Sequence, residues 1–116
     1  RVKMIYHLEP LRLDVDTAIP LGLIINELVT NSLKYAFPNE QKGKIEISLW
    51  LNESKQLCLK VADNGVGKGG APELKNSTSF GTNLVQILSK RLEGTPEIQK
   101  GEGYATLIKF DYYKMA

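Results

Sequence analysis

Glu27, Asn31 and Lys34 stand at i, i+4 and i+7 inside an otherwise largely apolar run that begins near Thr17. On a helix, this spacing places a carboxylate, a carboxamide and an ammonium on one face. If that face meets solvent, Glu27 and Asn31 can bond to each other while Lys34 snorkels past Tyr35 to water. If it lines a cleft, the same three groups meet a ligand. The helix alone does not choose between these readings, so the rest of the chain must.

A second carboxylate helps. Asp63 shares its parity with Leu57, Leu59 and Val61, so a strand through these residues delivers it to the core side of a sheet, just before Asn64-Gly65-Val66-Gly67. A carboxylate buried there is costly unless donors meet it. The alternative is a strand that ends at Ala62, with Asp63-Asn64-Gly65 as a solvated turn. Near the end of the chain, Thr106 shares a face with Ile108 and Phe110, and a hydroxyl aimed into a core needs a partner. His7 lies in the extended segment Ile5-Tyr6-His7-Leu8 and reads as a surface or half-buried strand residue. Cys58 reads as an inert small residue on the sheet face opposite Leu57 and Leu59.

The elements that must position these groups follow from pattern. Val2 to Leu8 and Leu11 to Val15 are β-prone pieces split by Glu9-Pro10, expected as an edge strand or two short pieces. Asp14 to Thr17 supply capping oxygens for a helix that starts between Asp16 and Ile19, holds Pro20 in its first turn and stops at or before Phe37. Leu21, Ile24, Ile25, Leu28, Val29, Leu33 and Ala36 cover most of its circumference, which predicts deep packing. Alternation over Lys44 to Leu51 and from Leu57 onward, across the polar turn Asn52 to Gln56, predicts an antiparallel hairpin. Gly65 to Phe80 is loop-like, a length that usually signals function or disorder. A second helix follows over Gly81 to Leu92, with Leu84, Ile87, Leu88 and Leu92 as its apolar stripe and Gly94 at its end. Two short strands, Pro96 to Lys100 and Tyr104 to Tyr112, close the chain.

Composition bounds the partners. The 116 residues suit a single domain spanning 1–116, with one real core. A net charge of +2 with scattered lysines argues against a nucleic-acid partner. One cysteine excludes an internal disulfide and a multi-cysteine zinc site, and fits a reducing compartment. Glu27 interrupts the longest apolar run, so no stretch reaches the roughly 20 residues of a spanning helix, and no membrane contact by this stretch is expected. The chain opens at Arg1 without a signal-peptide pattern and is expected to be a fragment of a longer protein.

Three separated pieces, Asn26 to Phe37, Asp63-Asn64-Gly65-Val66-Gly67 and Ser79-Phe80-Gly81-Thr82-Asn83-Leu84-Val85, with Thr106 on the last strand, resemble the nucleotide boxes of one family. They are similar to the catalytic ATP-binding domain of two-component sensor histidine kinases, in the superfamily of the gyrase, mismatch-repair and heat-shock chaperone ATPases. Thr17 to Ile24 most resembles the branch with the shorter, lid-bearing domain.

The resemblance implies a two-layer α/β sandwich of the Bergerat type, with a mixed, mostly antiparallel sheet covered by helices on one face. It implies ATP and Mg2+ as cofactors. Asn31 matches the magnesium-holding asparagine, while Lys34 and Tyr35 match phosphate-contacting positions. Asp63 matches the acceptor of the adenine amine, and Thr106 the threonine that reaches the same base. Gly65 and Gly67 match glycines that approach base and sugar, and Gly81 with the amides of Thr82, Asn83 and Leu84 a helix start that receives phosphate. Residues 66 to 80 match a lid over the nucleotide. Glu27 matches a glutamate that activates water in hydrolytic relatives and would act on the transfer step here.

The expected function is transfer of the γ-phosphoryl group from Mg-ATP to a histidine on a separate dimerisation and phosphoacceptor domain, with a downstream response regulator. The expected setting is cytoplasmic, the parent being soluble or membrane-anchored. A serine protein kinase of the anti-sigma type and a non-catalytic nucleotide-binding module are the alternatives. Ser79 departs from a position often occupied by glycine, and His7 is not in a helical phosphoacceptor setting.

Overall fold

The computed structural model describes residues 1–37, 42–65 and 80–116. Among the described residues, five strands and two helices run in the order β1 (Val2–Leu8), α1 (Val15–Tyr35), β2 (Gly43–Leu51), β3 (Leu57–Asp63), α2 (Phe80–Arg91), β4 (Glu97–Lys100) and β5 (Tyr104–Phe110). The sheet order is β1-β2-β3-β5-β4. β1 runs parallel to β2 and every other pair is antiparallel. With both helices on one face, this is the mixed two-layer α/β fold expected.

Alternation decides the core. Ile45 and Ile47 of β2, Leu57, Leu59 and Val61 of β3, and Ile108 and Phe110 of β5 point to the helix side. They are buried against Leu21, Ile24 and Leu28 of α1 and Val85, Leu88 and Leu92 of α2. Cys58, on the opposite face, is also buried, and burial pushes its thiol pKa up, which keeps it in the unreactive form. His7 is exposed on edge strand β1, where its ring lies 2.9 Å from Glu46.

Several local expectations shift. Asp14 caps α1 by accepting the Asp16 amide at 3.0 Å, so the helix starts at Val15 and Pro20 falls one turn deeper than expected. Leu33 is 50% exposed and Ile19 63%, so the outer face of α1 is not covered. On α2 the buried stripe includes Val85, whereas Ile87 is 61% exposed. The helix ends with Glu93 at positive φ, with Glu93 N–H bonding Lys90 O and Gly94 N–H bonding Ser89 O. That is a Schellman ending with glutamate, not glycine, in the left-handed position.

Leu11 to Val15 forms no strand of its own. Leu13 instead makes a single antiparallel bridge with Met115. Asp14 N–H donates to Lys114 O, Ala116 N–H to Arg12 O, and Lys114 N–H to the buried Thr17 Oγ1 at 2.8 Å. The C-terminal segment is thereby strapped across the start of α1, the helix that carries the candidate site. Thr17→Val keeps the shape and removes the acceptor. It is expected to cost about 1 kcal/mol, seen as a lower urea midpoint at unchanged m and a melting temperature lower by about 4 °C.

Candidate functional site

Asp63 is the last residue of β3 and is only 6% exposed. It faces the helices, opposite Ile45 on β2 and Tyr104 on β5. Two donors meet it: Gly65 N–H reaches Oδ1 at 3.0 Å, and the Ser32 hydroxyl of α1 reaches Oδ2 at 3.1 Å. Burial raises its pKa above the usual carboxylate range, opposed by the Gly65 amide, the Ser32 hydroxyl and the Tyr104 amide. The Tyr104 phenol is pushed up as well, by burial and then by the Asp63 charge. The strand therefore does run through Asp63, and the solvated-turn reading falls.

Gly65 explains how the strand end meets the helix. A β-carbon at 65 would overlap the carbonyl oxygen of Ala36, directly after α1. Only glycine lets the Asp63–Gly65 turn close onto that helix end. The atoms that a side chain at 65 would strike first thus belong to Ala36, the C-cap of α1.

The other half of the site lies around Glu27. The closest neighbour that a β-carbon at Gly81 would strike is Glu27 Oε2, so the glutamate lies directly against the first turn of α2. That turn has no acidic residue of its own, while Lys90 and Arg91 close the helix at the other end. A carboxylate supplied from α1 therefore sits where the positive end of the α2 dipole favours negative charge. α2 begins at Phe80, so the amides of its first turn lie at this positive end, and Leu84 stands just behind that turn, half-buried. Asn83 is exposed and Gly81 half-buried.

Asn31 is half-buried one turn beyond Glu27, Lys34 is exposed and Tyr35 is half-buried. Of the stripe predicted from spacing, Glu27 is thus at the α1–α2 junction, while Lys34 is exposed. Thr82 is placed in the first turn of α2. Gly67 and the expected lid over 66 to 80, apart from Phe80 at the start of α2, lie outside the described residues.

Thr106 is buried on the same face as Asp63, yet it stands opposite Val61, and the residue opposite Asp63 is Tyr104. Tyr104 and Ser32 are the two site residues that sequence reasoning did not single out. Both signals were present: Tyr104 shares the parity of Thr106, and Ser32 stands four residues after Leu28 on the buried face of α1. Chemically, α1 joins two subsites. One is a buried acceptor at Asp63, suited to a neutral donor, and the other is the amide-bearing start of α2, against which Glu27 lies.

A family model described as "Histidine kinase-, DNA gyrase B-, and HSP90-like ATPase" matches residues 16–114. The chain is 28% identical over 97 residues to Blue-light-activated histidine kinase 2 of Erythrobacter litoralis, covering 84% of this chain and 28% of that protein. It is 34% identical over 85 residues to Sensor histidine kinase PdtaS of Mycobacterium tuberculosis, covering 72% of this chain and 17% of that protein. It therefore spans less than a third of the length of either relative. In fold it is similar to the Erythrobacter litoralis EL346 blue-light activated histidine kinase, with a TM-score of 0.83, 24% identity, and coverage of 94% of this chain and 35% of that one.

Because burial raises the pKa of Asp63, the folded chain holds this proton more tightly than the unfolded chain does. The cost of the charge is fully present above the folded pKa and is relieved as pH falls toward the ordinary carboxylate value. Asp63→Asn can accept from Gly65 and donate to Ser32 Oγ without carrying charge. The variant is expected to melt above wild type at neutral pH. Melting curves across pH should show the difference narrowing on acidification; a constant or inverted difference would contradict the assignment.

Proposed function

The chain belongs to the histidine kinase-, DNA gyrase B- and HSP90-like ATPase family, and from that membership we propose that it binds Mg-ATP and presents the γ-phosphoryl group to a histidine on a separate dimerisation domain of a sensor kinase. One observation carries the reading: a buried carboxylate without a cationic partner among the described residues, fixed by Ser32 and Gly65, stands beside a helix face that leads to the start of α2. Asp63 accepts the exocyclic amine of adenine. Gly65 serves the base and sugar side, a role the family resemblance also gives to Gly67, and Thr106 supports the base side from one strand pair further in.

Lys34 and Tyr35, with the amides of Gly81, Thr82, Asn83 and Leu84, serve the phosphates. The donor chemistry fits magnesium. The carboxamide oxygen of Asn31 suits a hard cation that keeps most of its shell from phosphate oxygens and water. Among the described residues no group of three or more His, Cys, Asp or Glu could hold a metal ion. When bound, the ion supplies charge neutralisation on the transferring phosphoryl group. Glu27, held against α2, orients the incoming imidazole or takes its proton. The acceptor histidine, a response regulator downstream of it and a cytoplasmic setting are parts of the same proposal. Among the described residues, no helix is long and apolar enough to cross a membrane.

Titration of Mg-ATP into wild type and Asp63→Asn tests the base subsite. The expected loss is about tenfold to a hundredfold, the cost of leaving a donor poorly matched in a buried site. Loss of affinity in Asn31→Ala should appear with magnesium and vanish in chelator. Adding a helical domain that bears an acceptor histidine should give an acid-labile, base-stable phosphoprotein from labelled ATP. Label on an added acceptor serine instead would move the reading to a serine kinase, and no nucleotide binding by wild type would end it.

A further inference from the structure

We infer that Ser32 is a positioning residue that sets purine selectivity, holding Asp63 as a fixed acceptor for an exocyclic amine; the inference rests on the nucleotide reading above. A serine inside a helix ordinarily turns its hydroxyl back to the carbonyl four residues earlier or out to solvent. Ser32 does something else. It is 4% exposed, and its hydroxyl crosses to Asp63 Oδ2, 31 positions along the chain and on the other layer of the fold.

The geometry at Asp63 gives that bond a specific consequence. Oδ1 takes the Gly65 amide at 3.0 Å and Oδ2 takes Ser32 at 3.1 Å, so one donor on each oxygen fixes the plane of the carboxylate. An ionised carboxylate has about four acceptor positions, so capacity remains for an external donor. Among the described residues, the groups that face Asp63 are Ser32 from α1, Ile45 from β2, Tyr104 from β5, whose amide also favours the charged form, and the Gly65 amide, and none is a cation. Ser32 is therefore the one side chain among them seen to hold Asp63 by a hydrogen bond. An acceptor-only group of fixed orientation matches the amine of adenine and opposes the carbonyl that guanine places at the equivalent position.

Without Ser32 the carboxylate loses a donor that favours its charged form. Protonation then begins at higher pH, and a protonated Asp63 can donate to a carbonyl. Selectivity and pH response should therefore change together, which a mere packing role would not produce.

The test is nucleotide affinity for the 116-residue chain as wild type, Ser32→Ala and Ser32→Thr, measured with ATP and GTP across pH. Comparison with wild type at each pH cancels the nucleotides' own titration. Ser32→Ala should bind ATP about tenfold more weakly, the scale of a lost hydrogen bond to a charged group. Its ATP-to-GTP preference should narrow, and the acid-side fall in ATP affinity should begin at higher pH. Ser32→Thr, which keeps the hydroxyl, should recover both the preference and the pH midpoint. Equal weakening of ATP and GTP at an unmoved midpoint overturns the inference, as does wild-type behaviour of Ser32→Ala. Absence of ATP binding by wild type is a different result, and it overturns the nucleotide reading itself.

Discussion

The arrangement of this domain depends on one costly group, a carboxylate placed at the buried end of a central strand. Asp63 is there because the period of β3 continues through it, in register with β2 and β5. Burial disfavours its charge, and the structure answers with the Ser32 hydroxyl and the Gly65 amide. Those two bonds reach in different directions. Gly65 closes the turn against Ala36, and Ser32 ties the strand to α1. The same interaction that makes Asp63 tolerable therefore fixes where the helix lies relative to the sheet end.

Once α1 is fixed, its other faces are placed too. Asn31 precedes Ser32 and turns about 100° from it, and Glu27, one turn earlier, reaches the first turn of α2 at Gly81. That junction is favourable electrostatically, since α2 lacks an acid in its first turn and closes on Lys90 and Arg91. A single helix thus touches both the buried acceptor at the sheet and the start of α2. The strap from Lys114 to Thr17 secures the far end of that helix.

What was legible in the sequence was periodicity, and what was not was partnership. The parity of Leu57, Leu59, Val61 and Asp63 correctly put the carboxylate on the core side, because a strand's period needs no knowledge of its neighbours. The spacing of Glu27, Asn31 and Lys34 likewise gave one helix face. Periodicity does not say which faces another element will cover, so Leu33 and Ile87 were expected inside and lie out. Thr106 shows the same limit in the sheet. Parity gave its face, but the pairing of β3 with β5 across more than 40 residues decides that Tyr104, not Thr106, stands opposite Asp63. Ser32 was overlooked because a small polar residue on a buried helix face looks like a neutral filler until its partner is known.

The contrast between two ionisable clusters bears on what such a partner is for. Glu46 and His7 pair on the exposed outer face, where an ion pair contributes little and neither group constrains the fold. Asp63 has the opposite balance: it is buried, strongly constraining and, among the described residues, held by neutral donors. A carboxylate kept purely for structure would be expected to face a cation, or to be replaced by an amide that makes the same two contacts without the burial cost. Neither has happened at this position, and its acceptor capacity is not exhausted by Ser32 and Gly65. On the nucleotide reading proposed above, a charge retained under those conditions has its counterpart in a donor that arrives from outside the chain.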